Sequence, residues 1–185
     1  MLFRSNDIDI NHIISSLNDE SIQYNVSPDQ VADIIADKNA VALFQGRSES
    51  GPRALGNRSI LYDPRDPNGK DIVNQFKKRE WFRPFGASII EEDVSKYFYW
   101  NGPSEYMLYV ADVLEPDRFP AITHVDGTCR MQTVSKRHED YYQLLKEFGK
   151  ITGVPMLLNT SLNYGGKPIA GRTSDALELY HKSDL

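Results

Sequence analysis

The chain has 185 residues, of which 40% are hydrophobic and 25% charged, a composition typical of one folded domain and unlike that of disordered or fibrous proteins. Its 21 lysines and arginines are outnumbered by 26 aspartates and glutamates, and the net charge of −5 argues against a broadly basic nucleic-acid-binding surface. A single cysteine cannot form an internal disulfide, which favours a reducing compartment, and no apolar run reaches the roughly 20 residues that span a bilayer. We therefore expect one cytoplasmic domain, residues 1–185, with no membrane partner.

Residues 1–39 are predicted to form a helical lead-in. Isoleucines and a leucine at helical spacing predict a first helix from Asp7 to about Ile22. A second helix is marked by Ser27 and Gln30, which have the spacing of a capping box, and by Pro28 at the first helical position.

Farther along the chain, short apolar segments that predict strands alternate with amphipathic segments that predict helices. The predicted strands are residues 40–45, 60–62, 86–92, 107–113 and 154–159. The predicted helices are residues 71–80, a long helix capped by Ser135 and ending near Gly149 or Gly153, and a last helix opened by Thr173. Strands that alternate with helices favour an α/β or α+β domain with a mixed sheet.

Arginines and lysines gather in segments that lie between predicted elements or at strand ends, where binding residues usually sit. They are Arg47, Arg53 and Arg58 in a glycine-containing loop, Lys77, Lys78, Arg79 and Arg83 in the string KKREWFRPF, and Arg130 after the turn-like Asp126-Gly127 pair; a further polar loop follows Asn159. A single loop cation is usually a solvated surface charge. Their grouping in an acidic chain predicts a site for a polyanionic small molecule such as a nucleotide or an acyl phosphate.

Common nucleotide and metal motifs do not occur in the sequence. It contains neither the Gly-x4-Gly-Lys-Ser/Thr phosphate loop nor the Gly-x-Gly-x-x-Gly dinucleotide fingerprint. The histidines lack metal-ligand spacing with one another or with Cys129, so we expect no resident metal site. His124 and Cys129 are interpreted as structural residues rather than as a ligand and a nucleophile.

Several strings of the sequence together resemble the carboxyl-terminal part of the NodU/CmcH family of O-carbamoyltransferases. In chain order they are GRSESGPRALGNRSIL, NQFKKREWFRPFGAS, THVDGTCRMQTV, TGVPMLLNTSLN and KPIAGRTSDAL. The resemblance extends from about Val41 to the end of the chain, and the preceding residues resemble the helical lead-in of the same region.

The resemblance implies a fold and a half-reaction. The fold is an α/β (α+β), YrdC-like domain with a twisted mixed sheet flanked by helices, and its substrates are ATP and carbamoyl phosphate. Such a domain is expected to form carbamoyl adenylate and to release phosphate and pyrophosphate, with Mg²⁺ held mainly by the ATP phosphates and water. The implied partner is a separate transfer domain of the actin/sugar-kinase type, which carries a histidine-bound metal and passes the carbamoyl group to a hydroxyl.

The resemblance also implies roles for individual residues, in a reaction that needs positioning and charge neutralisation rather than a protein nucleophile. Phosphate binding and catalysis fall to Arg53, Lys77 and Arg83, with Arg130 as a further phosphate ligand. Ser161 is expected to hydrogen-bond a phosphate or the carbamoyl group, together with Asn159 and Thr160 in the same loop. Second-rank candidates, as ligands or as loop organisers, are Arg47, Glu49, Arg58 and Asn163.

Two other functions are weighed against this one. The first is a binding module that has lost catalysis and serves as a regulatory or assembly subunit. The second is RNA binding, by analogy with YrdC-like proteins in tRNA modification, which the net charge of −5 disfavours.

Overall fold

The computed structural model describes residues 2–4 and 22–183. The strands in these ranges are β1 (Leu2–Arg4), β2 (Gln23–Tyr24), β3 (Val41–Gln45), β4 (Arg58–Tyr62), β5 (Gly86–Ile90), β6 (Val110–Asp112), β7 (Thr128–Val134) and β8 (Met156–Ser161). The helices are α1 (Pro28–Ala36), α2 (Gly69–Phe76), α3 (Val94–Tyr97), α4 (Glu139–Thr152) and α5 (Thr173–Lys182), with short 3-10 helices at Glu91–Asp93 and Pro116–Arg118. The helix predicted for residues 7–22 lies, apart from Ile22, outside the described residues.

All the strands above belong to one mixed sheet, in the order β2-β1-β3-β4-β8-β5-β7-β6. β1 is parallel to β2 and β3, and β5 is parallel to β7. The β3–β4, β4–β8, β8–β5 and β7–β6 pairs are antiparallel. The predicted mixed sheet is therefore confirmed.

Two hydrophobic cores lie on opposite faces of this sheet. In β3, Val41 and Leu43 pack on the face covered by α1 and α4, whereas Ala42 and Phe44 pack on the face covered by α2 and α5. Successive strand residues point to opposite faces, so a strand that is covered on both sides is apolar along its length. The apolar run at 40–45 predicted a strand for this reason.

Two predicted helix starts are confirmed. α1 begins at Pro28, and the backbone N–H of Ser27 donates to Oε1 of Gln30 at 3.1 Å, which is one half of the predicted capping box. α5 begins at Thr173. Local capping chemistry is therefore sufficient to place both starts.

The start predicted for the long helix is wrong, although its end is confirmed. Residues 135–138 form a turn in which the N–H of His138 donates to the Ser135 carbonyl at 3.0 Å. α4 consequently begins at Glu139 and not after Ser135. It ends at Thr152 and is capped by Gly153, whose φ of 76° is the left-handed conformation that glycine adopts at helix ends.

Two further differences affect the site. The helix predicted for residues 71–80 ends at Phe76, because Lys78 takes a φ of 47° and the N–H of Arg79 folds back onto the Asn74 carbonyl at 3.2 Å. Residues 128–134, for which no strand was predicted, form strand β7. An arginine in the middle of a strand concealed the alternating pattern of that segment.

Candidate functional site

Three neighbouring strands align at one level of the sheet and form the floor of the candidate site. Gly86 of β5 pairs with Arg130 of β7 on one side and with Asn159 of β8 on the other. The loop 46–57 and the segment 77–85 complete a cleft of about 140 Å³ above them. We call it the arginine cleft; its lining residues are Pro52, Arg53, Ala54, Arg79, Pro84, Phe85, Gly86, Met107, His124, Arg130, Asn159, Thr160 and Ser161.

Arg53 and Arg130 bring two positive charges into the arginine cleft. Both side chains line it, and both residues are partly buried. Burial lowers the pKa of the Arg53 guanidinium, and the nearby charge of Arg130 lowers it further. Within residues 2–4 and 22–183, neither arginine forms an ion pair with a carboxylate. A site with this charge distribution favours an anionic ligand.

Arg79 is a third guanidinium of the cleft and was not selected from the sequence. Its Nε donates to Oδ1 of Asn74 at 2.5 Å, its Nη2 donates to the Pro84 carbonyl at 3.2 Å, and its guanidinium lies 4.2 Å from the centre of the Phe85 ring. Burial, followed by the charge of Arg83, lowers the pKa of Arg79 to about 10. The turn after Phe76 directs this side chain toward the cleft. No local signal in the sequence predicts that turn.

Lys77 lies beneath the cleft and does not line it. The residue is only 1% exposed. Its Nζ donates to the Asn163 carbonyl at 2.9 Å, to Oδ1 of Asn163 at 2.8 Å, and to the Ser161 carbonyl. Burial lowers its pKa to about 7, and Arg79 contributes to that shift. The hydrogen bonds of its Nζ therefore hold the chain that leaves β8.

The end of β8 supplies the polar groups predicted for it, in two different settings. Thr160 and Ser161 line the arginine cleft, and the Ser161 hydroxyl donates to Oδ1 of Asn163 at 2.7 Å. Asn159 is 1% exposed, and its Nδ2 donates to the Ala54 carbonyl at 3.1 Å and to Oγ of Ser88 at 2.9 Å. Thr160 and Ser161 therefore belong to the cleft wall, whereas the Nδ2 of Asn159 is engaged with the protein and its Oδ1 is buried without a hydrogen-bond partner.

The remaining predicted cations do not line the cleft. Arg83 is exposed and forms an ion pair with Glu80, with 3.0 Å between Nε and Oε2. Arg47 is also exposed. Arg58 is buried, lies 3.6 Å from the centre of the Phe44 ring, and donates through Nη1 to the Gln45 carbonyl at 2.5 Å.

Glu49 and Arg47 contribute to the internal structure of the loop 46–57. Oε1 of Glu49 accepts from the backbone N–H of Leu55 at 3.0 Å and of Asn57 at 2.6 Å. The Arg47 carbonyl accepts from Nδ2 of Asn57 at 2.8 Å. The loop that carries Arg53 is thus ordered by its own polar groups.

His124 and Cys129 have structural environments near the cleft. The Nε2 of His124 lies 3.0 Å from the Phe85 carbonyl oxygen, which fixes the imidazole at the cleft wall. Cys129 is fully buried in β7, and burial raises the pKa of its thiol. In the described ranges, no group of three or more His, Cys, Asp or Glu side chains is arranged to hold a metal ion. No helix described here is long and apolar enough to cross a membrane.

A family model of the carbamoyltransferase C-terminus matches residues 32–185. The chain belongs to this family. The Nodulation protein NolO of Bradyrhizobium diazoefficiens is 46% identical over 161 residues, covering 83% of this chain and 29% of that protein. The 3'-hydroxymethylcephem-O-carbamoyltransferase of Amycolatopsis lactamdurans is 41% identical over 156 residues, covering 84% of this chain and 30% of that protein.

This chain therefore corresponds to the carboxyl-terminal region of carbamoyltransferases. The Nodulation protein NolNO of Sinorhizobium fredii is 45% identical over 163 residues, which are 84% of this chain but 24% of that protein. The chain thus spans between about a quarter and a third of the length of the curated relatives that it matches.

The fold is also found in solved structures of HypF. The crystal structure of full-length HypF in its phosphate- and nucleotide-bound form superposes with a TM-score of 0.59 at 17% identity, over 84% of this chain and 20% of that one. The structure of HypF from T. kodakarensis gives a TM-score of 0.58 at 17% identity. These neighbours confirm the YrdC-like fold expected from the sequence.

Proposed function

We propose that this domain activates carbamoyl phosphate with ATP to form carbamoyl adenylate, the first half of an O-carbamoyl transfer. Water cleaves carbamoyl phosphate into carbamate and phosphate. A carbamate oxygen then attacks the α-phosphorus of ATP, the bond to the β-phosphate oxygen breaks, and pyrophosphate leaves. The observation that carries this proposal is the convergence of Arg53, Arg79 and Arg130 on one cleft, in a domain of the carbamoyltransferase family.

The residues of the cleft match the needs of this chemistry. Phosphoryl transfer requires that charged oxygens be held in line and neutralised, with no covalent role for the protein. The guanidinium groups of Arg53 and Arg130 bind phosphate oxygens in this proposal, and the hydroxyls of Thr160 and Ser161 orient them. Mg²⁺ enters with ATP and is held by phosphates and water, which the oxygen preference of this ion allows.

Lys77 and Arg83 take less direct parts than the sequence implied. Lys77 positions the Ser161 loop through the bonds described above, because each of its ammonium protons already has an acceptor in the protein. Arg83 is exposed and paired with Glu80, so we assign it long-range attraction of the anionic substrates.

A second domain is the proposed partner that receives carbamoyl adenylate. Roughly three-quarters of the length of these relatives lies outside the part that matches this chain. Several exposed apolar side chains are close in sequence to residues that line the arginine cleft, and we group them as an apolar rim: Trp81, Phe82, Tyr106, Leu108, Tyr109 and Val125. Exposed apolar patches of this kind mark contact surfaces. We propose that a transfer domain of the actin/sugar-kinase type covers this rim and takes the adenylate directly from the cleft.

The experiment that tests the reaction is pyrophosphate release from ATP and Mg²⁺ by the purified chain, with and without carbamoyl phosphate. We expect release that depends on carbamoyl phosphate, and a loss of about 100-fold in rate for Arg53→Ala or Arg130→Ala. Arg118→Ala, an exposed arginine outside the cleft, is the matched control and should keep the wild-type rate. Binding of ATP without release, also after addition of the transfer domain of a relative, would instead favour the silent binding module.

The rim is tested by replacing Trp81 and Phe82, which are 73% and 60% exposed, with serine. The double variant should release pyrophosphate as the wild type does but should bind the transfer domain of a relative more weakly. The control is Ile151→Ser. Ile151 is 49% exposed and belongs to α4, which covers the same face of the sheet as α1. Equal binding by both variants would contradict the docking assignment.

A further inference from the structure

The loop that carries Arg53 is tied to the sheet by buried side-chain amides. Nε2 of Gln132 donates to the Leu55 carbonyl at 3.0 Å, and Nδ2 of Asn159 donates to the Ala54 carbonyl at 3.1 Å. Gln132 and Asn159 are each 1% exposed. The two carbonyls belong to the residues that directly follow Arg53, so these bonds fix the backbone from which its side chain extends.

Ser88 sets the orientation of these amides. Its hydroxyl donates to Oε1 of Gln132 at 2.7 Å and accepts from Nδ2 of Asn159 at 2.9 Å. Because Oε1 of Gln132 is the acceptor in this bond, its Nε2 is turned toward Leu55. We call Ser88, Gln132 and Asn159 the amide cluster.

Ser88 and Gln132 of the amide cluster lie one row beneath the floor of the arginine cleft, to which Asn159 itself belongs. Gln132 is two residues from Arg130 in β7, and Ser88 is two residues from Gly86 in β5. Residues two apart in a strand point to the same face of the sheet. Gln132 therefore connects the strand that carries Arg130 with the loop that carries Arg53.

This connection acts against a repulsive force. Arg53 and Arg130 line one small cleft without a carboxylate partner in the described part of the chain, and two like charges at close range repel. The loop would relieve the repulsion by moving away from β7. Two hydrogen bonds to consecutive carbonyls, the one to Ala54 buried and the one to Leu55 partly buried, oppose that movement. Removing either amide would leave its carbonyl without that donor.

We propose that Gln132 is a positioning residue that holds Arg53 beside Arg130 before any anion binds, so that the phosphate site is formed in advance. The inference rests on the proposed function, since it assumes that the two arginines bind phosphate together. Preorganisation of this kind increases affinity because the ligand does not have to order the loop.

The test uses inorganic pyrophosphate as the probe, with its dissociation constant measured by calorimetry. Gln132→Met keeps the shape of the side chain but cannot donate to Leu55, and we expect binding about tenfold weaker. In the Arg53→Ala background the same substitution should cause no further loss, because its effect passes through Arg53. Thr133→Val is the matched control: Thr133 is also buried in β7, but its hydroxyl accepts from the Ser104 N–H at 2.7 Å, away from the loop, and the affinity should not change.

A second readout does not depend on the ligand. Amide hydrogen exchange of residues 51–57 should become faster in Gln132→Met and stay unchanged in Thr133→Val. If wild-type chain fails to bind pyrophosphate, the proposed function is wrong, and the exchange measurement alone decides whether Gln132 restrains the loop. An unchanged exchange rate, or a tenfold loss that persists in the Arg53→Ala background, would overturn the positioning role.

Gln132→Glu provides an independent variant in case Gln132→Met does not fold. Its carboxyl group keeps an oxygen for the Ser88 hydroxyl, and it can donate to the Leu55 carbonyl only when protonated. Pyrophosphate affinity relative to wild type should therefore recover as the pH is lowered. A ratio that stays constant with pH would contradict the assignment of this hydrogen bond.

Discussion

Lys77 donates twice to Asn163, with 2.9 Å from Nζ to the backbone oxygen and 2.8 Å to the side-chain oxygen. A third bond to the Ser161 carbonyl completes the use of its ammonium protons. The end of α2 and the end of β8 are thereby joined through one buried side chain. These two segments also lead into Arg79 and carry Ser161, which both line the arginine cleft.

The first prediction concerns the stability of that joint. Lys77→Met removes three hydrogen bonds and leaves the Asn163 carbonyl without a donor, whereas the Ser161 carbonyl keeps the Asn163 N–H and Oδ1 of Asn163 keeps the Ser161 hydroxyl. An acceptor left unpaired costs about 1–3 kcal/mol, and the other lost bonds add to that cost. We expect the free energy of unfolding, measured with urea, to fall by about 3 kcal/mol. Lys78→Met alters an adjacent but exposed residue and should change the same quantity by less than about 0.5 kcal/mol. Equal effects of the two substitutions would show that the buried bonds contribute little.

The second prediction concerns pH. Burial lowers the pKa of Lys77 from 10.5 to about 7, so above pH 7 the unfolded chain binds a proton that the folded chain has lost. Stability attributed to this group therefore rises with pH between about 7 and 10. The stability difference between wild type and Lys77→Met should grow by about 1 kcal/mol for each pH unit in that window. A difference that is constant or shrinks with pH would refute the lowered pKa.

The third prediction concerns anion binding by the folded chain. A ligand at 100 times its dissociation constant stabilises a protein by about 2.7 kcal/mol, which for a domain of this size raises the melting temperature by roughly 5–10 °C. Pyrophosphate should produce such a shift in wild type and in the surface variant Arg118→Ala. Arg130→Ala should lose most of it, and added sodium chloride should reduce it in all variants. A full shift in Arg130→Ala would remove that residue from the site.

The fourth prediction separates the shape of Arg79 from its charge. Arg79→Lys keeps a positive charge but loses the planar guanidinium, whose separate Nε and Nη2 atoms donate to Asn74 and to the Pro84 carbonyl. We expect pyrophosphate release to slow by about tenfold, whereas the reverse exchange at the neighbouring position, Lys78→Arg, should leave the rate unchanged. If Arg79→Lys retains the full rate, the charge of Arg79 matters and its fixed orientation does not.

The fifth prediction concerns the turn that returns loop 46–57 to β4. Gly56 has a φ of 114°, and a Cβ atom there would lie 2.4 Å from the ring of Tyr141. Gly56→Ala should therefore lower the free energy of unfolding in urea by about 3 kcal/mol or more. Gly51→Ala is the control for backbone strain alone, since Gly51 has a φ of 126° with open space around it. A smaller loss at Gly56 than at Gly51 would contradict the packing of this turn on Tyr141.

Local signals in the sequence were sufficient for much of the fold. The capping box at Ser27 and Gln30 placed α1, and the apolar run at 40–45 placed β3, because each signal depends on residues that are close in the chain. Strand β7 was missed because Arg130 and Gln132 interrupt its apolar pattern. The order of the strands also could not be obtained, since pairing depends on distant segments.

The sequence indicated which segments contribute cations to the candidate site, but it did not indicate the role of each cation. Arg53, Arg130 and Ser161 were named from the sequence, and all three line the cleft. Arg79 was passed over because its direction depends on the turn after Phe76. A sequence also cannot distinguish a lysine that faces a ligand from one buried beneath it, which is the situation of Lys77.

The buried thiol of Cys129 can report how often strand β7 opens locally. It is the only cysteine of the chain, and it adjoins Arg130 in a strand that is closed on both faces. A thiol reagent attacks the thiolate, so it can label this position only in molecules whose strand has transiently separated from the sheet. The half-life of thiol labelling in the unmodified protein thus measures how often the floor of the cleft opens. A bound anion should lengthen this half-life.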